Sequence, residues 1–123
     1  MAHTVEKVWT TSNGLIAAII KHTPTYEGSI MNFRCGYVAV TKEHKLYEKE
    51  YNDVQYVDVH GGLTYSGLGN YPAGEEHEDK WFFGYDCGHY QDDLDKCTLE
   101  YCIAQCESLA IQLMQTTPPD EQS

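Results

Sequence analysis

The sequence predicts an α+β fold, an antiparallel β-sheet with one long C-terminal helix packed on it, and three observations carry that expectation. Short runs in the first half alternate apolar and polar side chains, the period of half-buried strands. Asn13-Gly14 stands between two such runs, a strong short-range hairpin signal. Towards the end of the chain, apolar residues recur at steps of three and four, the period of an amphipathic helix. With 123 residues, the chain can bury roughly two-thirds of its unfolded surface, enough for one core. Residues 1–115 are therefore expected to form a single α+β domain and 116–123 a flexible C-terminal tail.

The elements follow in order. Lys7 to Thr11 and Leu15 to Lys21 flank Ser12-Asn13-Gly14, which reads as a type I′ turn with positive φ at both central residues. After the loop Thr23-Pro24-Thr25-Tyr26-Glu27-Gly28, Phe33 to Val40 sets Phe33, Cys35, Tyr37 and Ala39 against Arg34, Gly36, Val38 and Val40. It reads as a central strand completing a β-meander. Thr41 to Tyr51 is charged, with Leu46 and Tyr47 as its strong apolar anchors, and reads as a connecting turn or one short helix. Val54 to Val59 alternates again in the manner of a strand. Gly61, Gly62, Gly67, Gly69 and Gly74 then make an irregular loop, because glycine at that density weakens either regular element. Trp81-Phe82-Phe83-Gly84-Tyr85 supplies an apolar strand, and Asp86 to Asp95 returns to loop. The helix runs from about Thr98 to Gln115 with a stripe of Leu99, Cys102, Ile103, Cys106, Leu109, Ala110 and Leu113. Asp95 or Thr98 caps its start, Asp92, Asp93 and Asp95 suit its positive end, and Pro118-Pro119 stops it.

Charge narrows the function classes. The formal net charge is -11, with 19 acidic against 8 basic side chains. Residues 1–50 hold six basic and five acidic groups, whereas residues 51–123 hold two basic, Lys80 and Lys96, and fourteen acidic. Nucleic-acid coating rests on Lys and Arg displacing counterions from phosphate, so this balance argues against it, and against an anionic membrane surface. No run reaches the roughly 18 apolar residues of a membrane span. The first residues lack the apolar region of a signal peptide, so cytoplasmic residence is expected.

Five cysteines are expected to be reduced thiols in that compartment. Cys97, Cys102 and Cys106 lack C-x-x-C spacing and read as small buried hydrophobes. A sharper alternative is a metal site of Cys87, His89 and Cys97, for which the sequence fixes no fourth zinc ligand. His60 and His89, each near a strand end with Asp58 and Asp86, could act as acid and base or as ligands of one metal; loop-stabilising histidines are the plainer reading. Gly61 and Gly62 can expose backbone N–H groups to an anion, although neither G-x-x-x-x-G-K-[ST] nor G-x-G-x-x-G is present. Tyr65-Ser66-Gly67 lacks the serine-hydrolase elbow, and Cys87 beside His89 and Asp86 is the one candidate nucleophile. The expected catalytic, metal and cofactor sets are accordingly none. Ten Tyr, two Trp and three Phe favour a binding protein, since large rigid rings with polar tips make good contact surfaces.

The blocks Gly36-Tyr37-Val38-Ala39-Val40, His44-x-Leu46-Tyr47, Tyr51-x-Asp53-Val54, Asp58-Val59-His60-Gly61-Gly62-Leu63-Thr64-Tyr65-Ser66-Gly67, Trp81-Phe82-Phe83-Gly84-Tyr85-Asp86-Cys87-x-His89 and Cys106-Glu107-Ser108-Leu109-Ala110 resemble a widespread set of short phage and prophage proteins. The resemblance covers about residues 33 to 113. Small phage proteins of this kind include counter-defence sponges that capture the cyclic nucleotide signals of bacterial immunity, in particular of CBASS. The resemblance implies a protein that binds a cyclic nucleotide without cleaving it, in the cytoplasm of an infected bacterium and as a homo-oligomer. Arg34, Lys42 and Lys45 are the available cations. The expected ligand-binding set is Arg34, Tyr37, His60, Gly61, Gly62, Thr64, Tyr65, Trp81, Tyr85, Asp86 and His89. The alternatives are an acidic inhibitor that mimics nucleic acid against a host enzyme, and a His/Asp-based metal-dependent hydrolase.

Overall fold

A computed structural model describes residues 2–23, 33–68, 77–88 and 96–115. The elements are β1 (Ala2–Thr10), β2 (Ile16–Thr23), β3 (Phe33–Val40), a 3₁₀ turn (Tyr51–Val54), β4 (Tyr65–Leu68), β5 (Trp81–Asp86) and α1 (Leu99–Gln115). The strands form one five-stranded antiparallel sheet in the order β1-β2-β3-β5-β4. This is the α+β arrangement the sequence predicts, with α1 packed over β2 and β3. The expected tail at 116–123, the loop after Thr23 and the aspartates at 92, 93 and 95 lie outside the described residues.

Position in the sheet explains why β3 reads as doubly apolar. It is the middle strand, and everything from Cys35 to Val40 is buried. Val38 and Val40 join Ala17, Ile19, Phe83 and Tyr85 in the core beneath α1. Cys35, Tyr37 and Ala39 join Ala18, Ile20 and Phe82 in a second cluster on the opposite face. Two faces with separate cores follow from the two-residue period of the strand.

The β1–β2 hairpin forms where expected, but its turn differs. The Thr11 N–H donates to the Leu15 carbonyl at 2.7 Å and the Gly14 N–H to the Thr11 carbonyl at 3.0 Å, and Gly14 alone in the turn has positive φ, +94°. That is the three-residue pattern of a turn followed by one left-handed residue, not type I′. The cause is tertiary. Asn13 Nδ2 donates to the Ala110 carbonyl at 2.8 Å, while Trp9 Nε1 and the Ser12 N–H donate to the two Glu107 carboxylate oxygens at 2.8 and 3.0 Å. The hairpin tip is thus clasped onto the helix.

Those two donors hold the Glu107 carboxyl below its usual range, the Ser12 backbone bond contributing most. A carboxyl depressed on folding contributes stability that is present above its unfolded pKa and lost as pH falls through the folded value. Glu107→Gln is therefore expected to lower the urea stability at neutral pH by on the order of 1 kcal/mol, since the carboxylate is largely solvated. The gap to wild type should close as the solution is acidified below the usual carboxylate range; a constant gap across pH would reject the assignment.

Two other expectations change. Residues 54–59 do not form a strand: Val54 ends the 3₁₀ turn, and Val54, Val57 and Val59 all drop into the core under α1. The segment is held along the helix by Gln112, which accepts the Asp58 N–H at 2.6 Å and donates to the Asp58 carbonyl at 2.7 Å. Both strand-like hydrogen-bonding groups of Asp58 are therefore met by one side chain. Conversely, Tyr65–Leu68 within the expected glycine loop forms edge strand β4 against β5. Edge pairing needs only a partner backbone, and Gly67 is compatible because the Tyr65 ring folds over it, with the hydroxyl 2.9 Å from where a Cβ would stand.

The helix begins as expected at Thr98, whose Oγ1 accepts the Tyr101 N–H at 3.1 Å. Cys102, Cys106, Leu109, Ala110 and Leu113 are its buried stripe. His44, after β3, reaches the other helix end: its Nδ1 accepts the Leu46 N–H at 3.0 Å, which leaves Nε2 to donate to the Leu113 carbonyl at 2.9 Å. Among the described residues, no helix is long and apolar enough to cross a membrane.

Candidate functional site

Where β5 runs out and α1 begins, side chains from four segments converge. Cys87 follows β5, Cys97 precedes the helix, Cys102 lies in its first turns, and His60 arrives on the long connection between β3 and β4. His60 is fixed at three atoms. Its N–H donates to Gln105 Oε1 at 2.8 Å, its Nδ1 is 2.7 Å from the Tyr101 hydroxyl, and its Nε2 is 3.8 Å from Cys97 Sγ. Gly61 and Gly62 follow with φ of +68° and +81°, and the Gly62 N–H closes back onto the Val59 carbonyl at 2.8 Å. These two glycines are needed for that reversal, since a side chain at positive φ is strained.

Arg34 braces the same corner. Nε is 2.7 Å from Glu6 Oε1 and Nη1 donates to the Cys97 carbonyl at 2.9 Å, while the Arg34 carbonyl accepts the Cys87 N–H at 2.9 Å. The hydrogen bond that Arg34 donates to the Glu6 carboxylate raises the guanidinium pKa above its ordinary value, against desolvation, so it stays charged. Glu6 can reach it because a register shift between Val5 and Lys7 leaves Glu6 unpaired in β1.

All five cysteines are free thiols and buried. The Cys87 thiol is raised well above the thiol range by its hydrogen bonds to Cys102 and Cys97 and by burial. Its partner Cys102 is drawn down to about 7, chiefly by the hydrogen bond from Cys87. Cys106 and Cys35 are pushed up to about 12 by burial. A buried thiol that is raised in this way is a poor nucleophile, which leaves little support for Cys87 as a catalytic cysteine.

The expected ligand-binding residues divide between the two faces of the sheet. Arg34, His60 and Tyr85 come together under α1, with the Tyr85 hydroxyl donating to the Cys102 carbonyl at 3.1 Å. Tyr37 and Tyr65 meet edge to face on the other side, ring centroids 5.4 Å apart. Asp86 also belongs to that side, opposite Cys35, and its carboxylate accepts the Gly88 N–H at 2.9 Å. Trp81 starts β5, roughly 17 Å along the strand from Asp86 at about 3.3 Å per residue, where its Nε1 donates to the Lys49 carbonyl at 2.8 Å. Thr64 is exposed, and its N–H meets the Gly84 carbonyl at 2.8 Å. Asp58 is exposed and bound through its backbone rather than standing behind His60. His89 lies outside the described residues.

Tyr101, Gln105 and Lys21 are not singled out by the sequence, which reads Cys102 only as a small buried hydrophobe, and the structure brings all four to this region. Tyr101 and Gln105 are four apart, one above the other beside the apolar stripe, a spacing that marks them as neighbours on one helix face. Lys21 stands directly opposite Arg34 in the β2–β3 register, so the cations beside Arg34 belong to the hairpin rather than to Lys42 and Lys45, beyond the far end of β3. No protein-family model, curated protein or solved structure matches the chain.

Proposed function

We propose that the protein is a phage counter-defence binding protein that sequesters a cyclic nucleotide signal without cleaving it. The observation that supports this reading most is the cation pair of Lys21 and Arg34. In a chain of net charge -11, these two residues stand directly opposite one another on neighbouring strands, on the α1 side of the sheet. Like charges so placed repel, and Glu6 offsets part of that repulsion. A phosphate would offset the rest. Lys7, opposite Ile19 on the same face and 5.7 Å over the Trp9 ring, adds a third cation and a half-buried aromatic.

Nanomolar capture needs about -12 kcal/mol. One or two stacked bases contribute about 1–3 kcal/mol each, leaving the remainder to phosphate and ribose contacts. Tyr37 and Tyr85 are already packed within the two cores. Half-buried Trp9 and Tyr101 are the better stacking surfaces, and a second copy of the chain would complete the pocket.

Isothermal titration with 3′,3′-cyclic dinucleotides, cyclic trinucleotides and cyclic ADP-ribose isomers is expected to give nanomolar binding to one class. Lys21→Glu should weaken it at least a hundredfold, and heat denaturation should release the nucleotide intact. Recovery of a cleaved product would replace the sponge by a hydrolase. Absence of heat across the whole panel would overturn the reading. In that event the acidic-mimic alternative takes its place, since the β3–β4 connection exposes Glu43, Glu48, Glu50, Asp53 and Asp58. That alternative requires salt-sensitive binding to a host protein and indifference to nucleotides.

A further inference from the structure

We propose that His60, Cys87 and Cys97 form a binding site for a thiophilic divalent metal ion, zinc being the natural occupant. Nε2 of His60 and the sulfurs of Cys87 and Cys97 all lie within 4.8 Å of one another. The Cys97 Sγ to His60 Nε2 separation is 3.8 Å. Zinc–sulfur bonds of about 2.3 Å and zinc–nitrogen bonds of about 2.0–2.1 Å in a tetrahedron set ligand atoms roughly 3.5–3.8 Å apart. The observed donors therefore need shifts of no more than about an ångström to close on an ion. The Cys87 thiol also hydrogen-bonds to Cys102, a sulfur beside Cys87 but outside this three-donor group.

The surroundings match what a metal-bound imidazole requires. Histidine ligands usually engage the ring nitrogen that faces away from the ion, which fixes tautomer and orientation. Here Tyr101 Oη holds Nδ1 at 2.7 Å, so Nε2 is the nitrogen turned to the sulfurs, and Gln105 fixes the backbone behind it. The two cysteines stand near opposite ends of the β5–α1 connection, and Arg34 ties both to β3, by its carbonyl to the Cys87 N–H and by its guanidinium to the Cys97 carbonyl. Cys87 and Cys97 are each 1 % exposed, which shields their sulfurs from competing solvent. Mixed sulfur and nitrogen donors select zinc over magnesium or calcium, which prefer oxygen. The sequence expected no metal and gave Cys87, His89 and Cys97 as the alternative; the fold supplies His60 as the histidine.

Cobalt(II) titration of the reduced full-length protein tests the site. One equivalent is expected to give thiolate-to-cobalt charge-transfer absorption and the intense visible bands of tetrahedral cobalt, both removed by one equivalent of zinc. His60→Ala and Cys97→Ser should each weaken zinc binding at least tenfold, while Cys35→Ser and Cys106→Ser leave it unchanged. Circular dichroism of each variant establishes that it is folded. If Cys97→Ser does not fold, His60→Ala and the loss of zinc-dependent thermal stabilisation serve alone. Octahedral cobalt spectra, or equal zinc affinity in wild type and folded His60→Ala, would overturn the proposal.

Discussion

Gly36→Ala is expected to destabilise the protein by about 3 kcal/mol, at the upper end of the usual cost of overpacking a core. A Cβ at Gly36 would stand 2.4 Å from Cε1 and 2.6 Å from Cζ of Tyr85, which lies directly opposite on β5. The ring cannot step aside freely, because it is buried under α1 and its hydroxyl is bonded to the Cys102 carbonyl. One residue along, the relation is inverted on the other face. Tyr37 lies opposite Gly84, and a Cβ there would meet the Tyr37 ring at 2.6 Å and the Gly36 carbonyl at 3.1 Å. Gly36-Tyr37 and Gly84-Tyr85 thus form two crossed pairs in which each tyrosine ring covers the glycine across the ladder. An aromatic laid over a cross-strand glycine recovers the packing that glycine lacks.

A double-mutant cycle on urea midpoints measures this contact. Tyr85→Ala alone should cost about 3–5 kcal/mol, as large aromatic truncations do. In that background Gly36→Ala should cost less than about 1 kcal/mol, giving a coupling energy near 2 kcal/mol. Equal effects of Gly36→Ala with and without the ring would refute the pairing.

Arg34→Met is expected to cost about 2–3 kcal/mol. The Arg34 and Glu6 side chains are 13 % and 20 % exposed, so their pairing falls between a buried bridge, whose breaking costs about 3–5 kcal/mol, and a solvent-screened one worth at most about 1 kcal/mol. Loss of the Cys97 carbonyl's partner adds to the effect. Arg34→Lys should recover little, because an ammonium cannot present nitrogens in both directions at once. Replacing both partners, as Glu6→Leu with Arg34→Met, should restore most of the stability by removing the unpaired carboxylate. Urea midpoints of the four proteins check this. A double variant less stable than either single one would contradict it. Because Arg34 braces the fold, Lys21→Glu is the cleaner probe of anion binding.

Much of the fold was legible because local period and tertiary role agree. The β2 and β3 runs alternate as the sheet demands, and the stripe from Leu99 to Leu113 is the face that α1 buries. Val54 to Val59 misled because three valines two or three apart also suit a chain lying along a helix. What decides between the two is Gln112, more than fifty positions away, which satisfies the Asp58 backbone. Tyr65 to Leu68 misled in the opposite sense, since glycine lowers local strand preference while the open edge of β5 supplies a partner.

For the candidate site, the residue types were visible and their grouping was not. Cys87, Cys97 and His60 each stood out, but the histidine that meets the two cysteines could not be chosen from spacing, since His60 lies 37 positions from Cys97. Tyr37 and Tyr85 looked alike in sequence, each after a glycine, and face opposite sides of the sheet.

The sequence by itself determined the class, the hairpin, the central strand and the helix, because each rests on contacts within a few residues or on a repeating period. Only the tertiary structure decided which donors meet. That choice depends on β5 inserting between β3 and β4 and on the β3–β4 connection lying along α1. Both are set by long-range burial and hydrogen bonding, which local pattern does not encode.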